Sequence, residues 1–168
     1  VLDTARLKHQ LGRHLQVDNR TVHTFIIGEH GDSELPVWSS ANVSGIDLNR
    51  YCHLQGGEDH DAEMQKIYES VRDSAYEIIS RKSATYYGIA MAVGRIAECI
   101  VKDEHSILPV SVALAGQYGL SNLALSVPSI VGKNGVEKVL EIPLSESENA
   151  ALHASAAQMR EVIKTLDL

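Results

Sequence analysis

A histidine at the end of an apolar run is the residue best suited to proton transfer in this sequence. Val22–Ile27 is β-branched and aromatic, which is typical of a buried strand, and His30 follows between Gly28 and Gly31. Glycines allow a sharp turn and leave room for a ligand to approach. Because imidazole titrates near neutral pH, a histidine on such a loop is a candidate acid or base. A strand that ends in a turn with a solvated histidine explains the stretch equally well.

A carboxylate and a guanidinium lie one helical turn apart near the start of the chain. Asp3 and Arg6 are i, i+3 neighbours on a predicted helix, for which Asp3 or Thr4 is the expected N-cap. The pair can be a capping aspartate with a surface arginine, or two groups that face a shared pocket. The helix itself is predicted from leucines at helical spacing, which are Leu7, Leu11 and Leu15.

The composition excludes several classes of protein. The chain has 168 residues and a net charge of -7, which argues against a general nucleic-acid or acidic-membrane surface. Cys52 and Cys99 are far apart, so neither a disulfide framework nor a cysteine zinc site is expected, and no metal is predicted. No apolar run has membrane-spanning length. The chain begins at Val1 without a methionine and is expected to be a fragment of a longer cytoplasmic protein.

The pattern along the chain predicts an α+β domain, in which a largely antiparallel sheet packs with long amphipathic helices. Helices are expected from Asp47, over 62–81 and from Thr85–Gly88 to about Lys102, with Thr85 as a possible cap. His53–His60 is expected to be a surface loop whose histidines and acids match no zinc spacing. The remaining segment, 38–46, has no clear pattern.

The last third of the chain predicts turn-linked strands and a final helix. Strands are expected over 106–114, 123–131 (interrupted by Pro128) and 136–142, with a hairpin turn between the last two. Ser145 and Glu148 form a capping box before the final helix. No Gly-x-Gly-x-x-Gly follows a strand, so the chain has no dinucleotide-binding fingerprint of its own.

Three motifs in this order resemble those of bacterial L-lactate dehydrogenases, within the lactate/malate dehydrogenase superfamily. They are Leu-Asp-Thr-Ala-Arg at Leu2–Arg6, Ile-Gly-Glu-His-Gly-Asp-Ser at Ile27–Ser33 and Ser-Ala-Thr-Tyr-Tyr-Gly-Ile-Ala at Ser83–Ala90. The resemblance covers residues 1–168 and is to the C-terminal, substrate-binding domain. It implies that the N-terminal dinucleotide-binding domain is absent from this chain, so the chain alone is expected to be inactive.

The resemblance implies a role for each of five residues. His30 matches the acid/base, and Asp3 the carboxylate that orients it and stabilises its charged form. Arg6 matches the group that holds the substrate carboxylate through two parallel hydrogen bonds. Thr85 matches a wall of the substrate pocket, and Ile89 an apolar contact to the nicotinamide ring of NAD.

The resemblance also implies an effector site and an assembly. Allosteric members bind fructose 1,6-bisphosphate through an arginine and a histidine; His23 matches that histidine, and Lys8 replaces the arginine. Lysine keeps the charge but loses the bidentate fork, and a surface cation with a strand-start histidine is the ordinary alternative. A homotetramer is also implied.

Two classes of function stay open at this point. The first is the catalytic half of an NAD-dependent enzyme of glycolysis and pyruvate fermentation that interconverts L-lactate and pyruvate, with malate or another 2-hydroxy acid as the alternative substrate. By the same resemblance, Glu29 before His30 and Thr85 before Tyr86 favour lactate. The second is an isolated oligomerisation module without activity, which would not need Asp3, Arg6 and His30 together.

Overall fold

A computed structural model describes residues 1–55 and 60–166 of the chain. The α-helices in these ranges are α1 (Leu2–Leu15), α2 (Leu48–Leu54), α3 (His60–Lys82), α4 (Tyr87–Val101) and α5 (Glu146–Lys164). The strands are β1 (Val22–His23), β2 (Ile26–Ile27), β3 (Leu35–Pro36), β4 (Asn42–Val43), β5 (Ile46–Asp47), β6 (Ser106–Ala115), β7 (Ser121–Gly132) and β8 (Gly135–Val139).

The expected α+β architecture is confirmed, because every strand pairing between these elements is antiparallel. The strands form a β1-β4-β5 sheet, a β2-β3 pair and a β6-β7-β8 sheet. The third sheet is a long hairpin extended by one strand, and α5 packs against it and against β3. The helices and the long hairpin therefore surround the short strands that precede and follow His30.

The predicted interruption at Pro128 is wrong, since β7 continues through it. Pro109 and Pro128 lie opposite each other in the β6–β7 register. Neither proline has an N–H to donate to a neighbouring strand. Because the two prolines face each other, both donors are missing at a single pair of the register, where the ladder needs no hydrogen bond between β6 and β7. The carbonyl of Pro128 still accepts a hydrogen bond from Leu140 N on its other side (2.8 Å).

The predicted single strand over Val22–Ile27 is two short strands with different partners. β1 pairs with β4, whereas β2 pairs with β3. Between them the Thr24 hydroxyl donates to the carbonyl of Val37 (2.9 Å), and Val37 N donates to the carbonyl of Phe25 (2.9 Å). The chain changes sheets at this point, which composition alone does not reveal.

The first helix begins earlier than its expected caps. α1 starts at Leu2, with Val1 at the N-cap position and no capping side chain. Asp3 lies within the first turn, and its carboxylate bonds other side chains instead of capping the helix. The hydroxyl of Thr4 accepts a hydrogen bond from Ile26 N (2.8 Å), and this bond ties the helix to β2.

The start of α4 also differs from the expected one. Its N-cap is Tyr86, without a capping side chain, so Thr85 is not the cap. Gly88 does allow close packing, because a Cβ there would lie 3.2 Å from Cδ1 of Leu2. The helix predicted over 62–81 is confirmed, as is the start of α2 after an Asp47 cap. Residues 56–59 of the expected loop over 53–60 lie outside the described residues, while the ends of that segment are helical, since His53 belongs to α2 and His60 begins α3.

Two clusters of buried apolar side chains support the domain. One joins α1, α2 and α3 around Leu7 and Leu11, and the other joins β2, β7 and α5 around Ile27, Leu125 and Leu152. His30 lies on the loop that follows β2 and contacts Asp3 in the first turn of α1. Within the described part of the chain, no helix has the length and apolarity needed to cross a membrane.

The carboxylate of Glu148 joins α5 to the loop after β3. It accepts hydrogen bonds from Ser39 N (2.8 Å), from the Ser39 hydroxyl and from Ser145 N (2.8 Å), and it completes the predicted capping box with Ser145. Burial disfavours the charged form, but the donors of Ser39 and Ser145 hold the pKa of Glu148 below its usual value.

We expect Glu148→Gln to lower the free energy of unfolding by about 1–3 kcal/mol at neutral pH, because an amide nitrogen replaces an acceptor that is nearly buried. A carboxylate with a lowered folded-state pKa stabilises the fold above its unfolded-state pKa, and this contribution is lost as the pH falls through the lowered value. In urea unfolding, the difference in unfolding free energy between the wild-type protein and Glu148→Gln should therefore be smaller at acidic pH than at neutral pH. Glu146→Gln, an exposed change in the same helical turn, is the control; an equal loss in both variants would contradict the assignment.

Candidate active site

The loop that carries His30 is fixed to the long hairpin by its first residue. Gly28 N donates to the carbonyl of Ser126 (2.9 Å), and Ser126 N donates to the carbonyl of Gly28 (2.8 Å). Gly28 has φ +91°, in the left-handed region that side chains disfavour, and a Cβ would lie 3.0 Å from Ser155 Oγ and from Cδ2 of Leu35. The glycine is needed both for the turn and for the close approach.

The buried hydroxyl of Ser155, on α5, holds the same loop from the opposite side. It accepts a hydrogen bond from Glu29 N (2.9 Å) and lies 3.0 Å from the Ser33 hydroxyl. The Ser33 hydroxyl donates to the carboxylate of Glu29. His30 is therefore presented by a loop that is anchored on both of its flanks.

His30 meets a carboxylate from α1. Its Nδ1 donates to Asp3 Oδ2 (2.7 Å), and Nη1 of Arg6 donates to Asp3 Oδ1 (3.1 Å). The side chain of His30 is 70% exposed, whereas that of Asp3 is 14% exposed. Asp3 thus lies between two cationic groups, while the opposite edge of the imidazole is open to a ligand.

The pairing shifts the protonation of both partners. The hydrogen bond to Asp3 raises the pKa of His30 above its ordinary value, against the effect of partial burial. For Asp3, burial acts against the charged form, but the hydrogen bond and charge of His30, together with Arg6, hold the pKa below its usual value. The imidazole is therefore favoured as a cation that a carboxylate orients.

An apolar cavity of about 470 Å³ opens beside this pair. Asp3 and His30 lie on its wall, and Ile89 of α4 lines the same space, about half exposed. The other walls come from α4, from the hairpin and from β2, with Ala92, Val93, Val110, Ser126 and Val136 among them. A flat apolar group could thus lie against α4 while it contacts the imidazole.

Two of the predicted site residues, Arg6 and Thr85, lie outside this cavity. Arg6 is held by Asp3 and lies close to the start of α4, since a Cβ on Gly88 would be 4.0 Å from its Nη2. Thr85 is exposed on the segment before α4. Neither lines the cavity itself. The structure therefore brings Asp3, His30 and Ile89 around one space, with Arg6 adjoining Asp3.

The sequence reading missed Glu34, a buried acid next to the pair. Its carboxyl group, a ring nitrogen of His30 and a carboxylate oxygen of Asp3 all lie within 4.8 Å of one another. Burial, and then the negative charge of Asp3, raises the pKa of Glu34 to about 8. A charged residue just before an apolar strand was the only signal in the sequence.

A second cleft, of about 460 Å³, contains Lys8 and His23, the two residues expected to hold an anionic effector. The same cleft is lined by Arg20 and Arg95, which sequence reasoning did not select. Arg20 pairs with Asp18 and Arg95 with Glu104 (both 2.6 Å). Burial lowers the pKa of Lys8. The cleft is therefore rich in cationic side chains, two of which already have carboxylate partners.

Groups of histidines and carboxylates occur at two places in the described part of the chain. One is the Asp3–His30–Glu34 cluster, and the other is an exposed group of Asp103, His105 and Glu137. In both, the histidine already contacts a carboxylate of the group. The expectation that the protein needs no metal stays a prediction.

The fold and this geometry define an α+β domain that presents a histidine–aspartate pair at the edge of an apolar cavity. Residues 1–167 match the family described as lactate/malate dehydrogenase, alpha/beta C-terminal domain. The chain belongs to this family, as the motif resemblance predicted.

Named relatives agree with this assignment. The chain is 54% identical to an L-lactate dehydrogenase of Acetivibrio thermocellus, with 100% of this chain and 53% of that protein aligned. It is 49% identical to one of Thermoanaerobacter pseudethanolicus, over 100% and 54%. The crystal structure of the minor L-lactate dehydrogenase from Enterococcus mundtii in the ligands-bound form superposes with a TM-score of 0.93 at 39% identity, covering 99% of this chain and 53% of that one. The chain spans about half the length of these relatives.

We expect Asp3→Asn to lower the pKa of His30, because a neutral amide no longer stabilises the imidazolium. The measurement is the pH titration of the His30 ring resonances by NMR with isotope-labelled histidine. Asp32→Asn is the control: Asp32 is on the same loop, but it accepts from the Tyr76 hydroxyl (3.0 Å) instead of from His30. An unchanged or raised His30 pKa in Asp3→Asn would show that the short contact does not stabilise the charged ring.

Proposed function

We propose that this chain is the substrate-binding and catalytic half of an NAD-dependent L-lactate dehydrogenase that interconverts L-lactate and pyruvate. The observation that carries the proposal is the 2.7 Å hydrogen bond between His30 and Asp3 at the edge of an apolar cavity. Oxidation of a 2-hydroxy acid needs a base at the hydroxyl, and the reverse reaction needs an acid at the carbonyl oxygen. An imidazole near neutrality serves both directions.

In this mechanism His30 removes the hydroxyl proton of lactate as the carbon–hydrogen bond breaks. The exposed Nε2 edge accepts the proton, while Nδ1 remains bonded to Asp3, so the ring becomes a cation beside a carboxylate. In pyruvate reduction the same nitrogen returns the proton to the carbonyl oxygen. Asp3 acts by orienting the ring and by stabilising its positive charge.

NAD supplies the hydride acceptor when it is bound, and the residues of this chain fit one end of it. Ile89 and Val93 form an apolar wall beside His30, which suits the face of a nicotinamide ring. With no dinucleotide-binding motif in the chain, the rest of NAD is assigned to an N-terminal domain outside residues 1–168. Because Ile89 approaches from α4, it can set the distance between the ring and the reacting carbon.

Arg6 is proposed to bind the substrate carboxylate. A guanidinium has five N–H donors, so Arg6 can bond Asp3 through Nη1 and still offer two parallel hydrogen bonds to a second carboxylate. Thr85, on the exposed segment before α4, is proposed to form part of the pocket wall. Both residues would then hold the substrate from the side of the cavity where α1 meets α4.

Exposed apolar side chains support further partners of this domain. On α4, Met91 is 76% exposed, and Tyr87 at its start is 71% exposed. Such a surface favours burial against other protein, here the dinucleotide-binding domain and the other subunits of a homotetramer. A cytoplasmic place in glycolysis and pyruvate fermentation follows from the proposed reaction. A pure assembly domain would need the apolar face but not the His30–Asp3 pair.

Steady-state assays of the full-length protein with lactate, malate and other 2-hydroxy acids test the proposal directly. We expect lactate to be the preferred substrate and His30→Asn to lower kcat by about 10²–10⁴-fold, because the titrating group is lost. Arg6→Lys should mainly weaken substrate binding, since it keeps the charge and loses the fork.

His53→Asn, a change of an exposed histidine on α2, is the matched control for His30→Asn and should leave kcat unchanged. Preference for malate or another hydroxy acid would reassign the substrate within the superfamily. Full turnover in His30→Asn would rule out the proposed acid/base.

The cleft around Lys8 and His23 is proposed to bind fructose 1,6-bisphosphate as an activator. Two phosphate groups match its cationic lining, to which Arg20 and Arg95 also contribute. A lysine at position 8 binds phosphate as a point charge and lacks the bidentate geometry of arginine, so weak binding is expected.

We expect fructose 1,6-bisphosphate to activate the full-length enzyme and added salt to reduce that activation by screening. His23→Gln should raise the effector concentration needed for half-activation while saturated turnover stays nearly the same. His14→Gln, an exposed histidine of α1 that does not line the cleft, is the control. Identical kinetics with and without the effector from acidic to neutral pH would remove this proposal.

A further inference from the structure

Glu34 has a buried carboxyl group that the proposed mechanism does not use. The residue lies between His30 and β3, is 5% exposed, and its Oε1 has no hydrogen-bond partner among the residues that the structure describes. The backbone of Glu34 is fixed, because its carbonyl accepts a hydrogen bond from the Tyr68 hydroxyl of α3. An ionised carboxylate without donors is costly to bury, so the position favours the neutral acid.

The carboxyl of Glu34 is close enough to the His30–Asp3 pair for its charge to affect the protonation of both. A Glu34 oxygen, a ring nitrogen of His30 and an oxygen of Asp3 are mutually within 4.8 Å. Two carboxyl groups at this distance do not readily ionise together. Burial and the charge of Asp3 raise the pKa of Glu34 to about 8, although His30 and Arg6 act in the opposite direction. Near neutral pH, Glu34 can therefore donate a hydrogen bond to Asp3.

The groups that face Glu34 come from three places in the described chain. Asp3 and Arg6 face it from α1, His30 from its own loop and the Tyr68 hydroxyl from α3. Arg6 already bonds Asp3 and is assigned to the substrate carboxylate, so no cation is dedicated to Glu34.

We propose that Glu34 is a positioning residue of the His30–Asp3 pair: a neutral acid that bonds Asp3 near neutral pH, and a second carboxylate that keeps His30 protonated in alkaline solution. The inference rests on the proposed function, because it assigns Glu34 to the acid/base of that reaction. A negative charge this close to the ring favours the imidazolium form. Pyruvate reduction needs that form, so Glu34 would extend the reaction toward higher pH.

The first test follows His30 itself, without turnover. Diethyl pyrocarbonate acylates unprotonated imidazole, and peptide mass spectrometry of the full-length protein gives the rate at His30 as a function of pH. In the wild-type protein, coupling to Glu34 should make this profile broader than a one-proton curve. In Glu34→Gln the pH profile of acylation should become as steep as a one-proton titration curve. Its midpoint should fall by roughly half a pH unit, which is a threefold change in proton affinity.

The second test is the pH dependence of pyruvate reduction. The alkaline limb of kcat/KM should move to lower pH in Glu34→Gln by the same amount as the acylation midpoint, while the value near pH 7 stays within about twofold. A merely structural role for Glu34 would change kcat/KM at every pH and leave the midpoint in place. Asp32→Asn, which removes a carboxylate from the same loop, should change neither midpoint.

An acylation midpoint that stays or rises in Glu34→Gln would overturn the inference. If that variant does not fold, a wild-type acylation profile with a one-proton slope would overturn it instead, and a broad profile would support it. Failure of the proposed function is distinguishable, because a full-length protein that does not reduce pyruvate still gives the acylation profile of His30.

Discussion

The arrangement of the site depends on two backbone hydrogen bonds between Gly28 and Ser126. They join the end of β2 to the middle of the long hairpin, and they require a left-handed conformation that a residue with a side chain would resist. With these two hydrogen bonds in place, the residues that follow Gly28 run toward α1, where Asp3 Oδ2 lies 2.7 Å from Nδ1 of the imidazole. The relative placement of His30 and Asp3 thus depends first on main-chain pairing, to which the side chain of Ser155 adds its hydrogen bonds.

The electrostatics follow from that placement. Asp3 is mostly buried and has a cationic partner on each side, so it stays ionised and favours a charged His30. Glu34 has a carboxyl oxygen within 4.8 Å of His30 and Asp3 but lacks a dedicated cation, and burial raises its pKa to about 8. The pKa values of two neighbouring carboxyl groups are therefore shifted in opposite directions because their partners differ. The same contrast governs many pairs of acids in enzyme sites.

Local patterns in the sequence predicted much of this structure, and the failures have physical causes. The capping box at Ser145 and Glu148 and the long helix α3 are determined by neighbours within a few residues, so they were predictable. The division of Val22–Ile27 into two strands depends on partners far along the chain, at β3 and β4. The motifs selected Asp3, Arg6 and His30, but burial of Glu34 is a tertiary property that no motif carried.

The anchoring of the His30 loop by Ser155 has a consequence for the order of folding. The hydrogen bond from Glu29 N to Ser155 Oγ joins residues 126 positions apart, and the contact between Ser33 and Ser155 spans 122. Contacts of such long range form only after a large loss of chain entropy, whereas α3 and the β6–β7 hairpin consist of local contacts. During refolding, the helices and the hairpin can therefore form while the loop is still unattached. The anchored His30 loop would be among the last parts of the domain to be assembled.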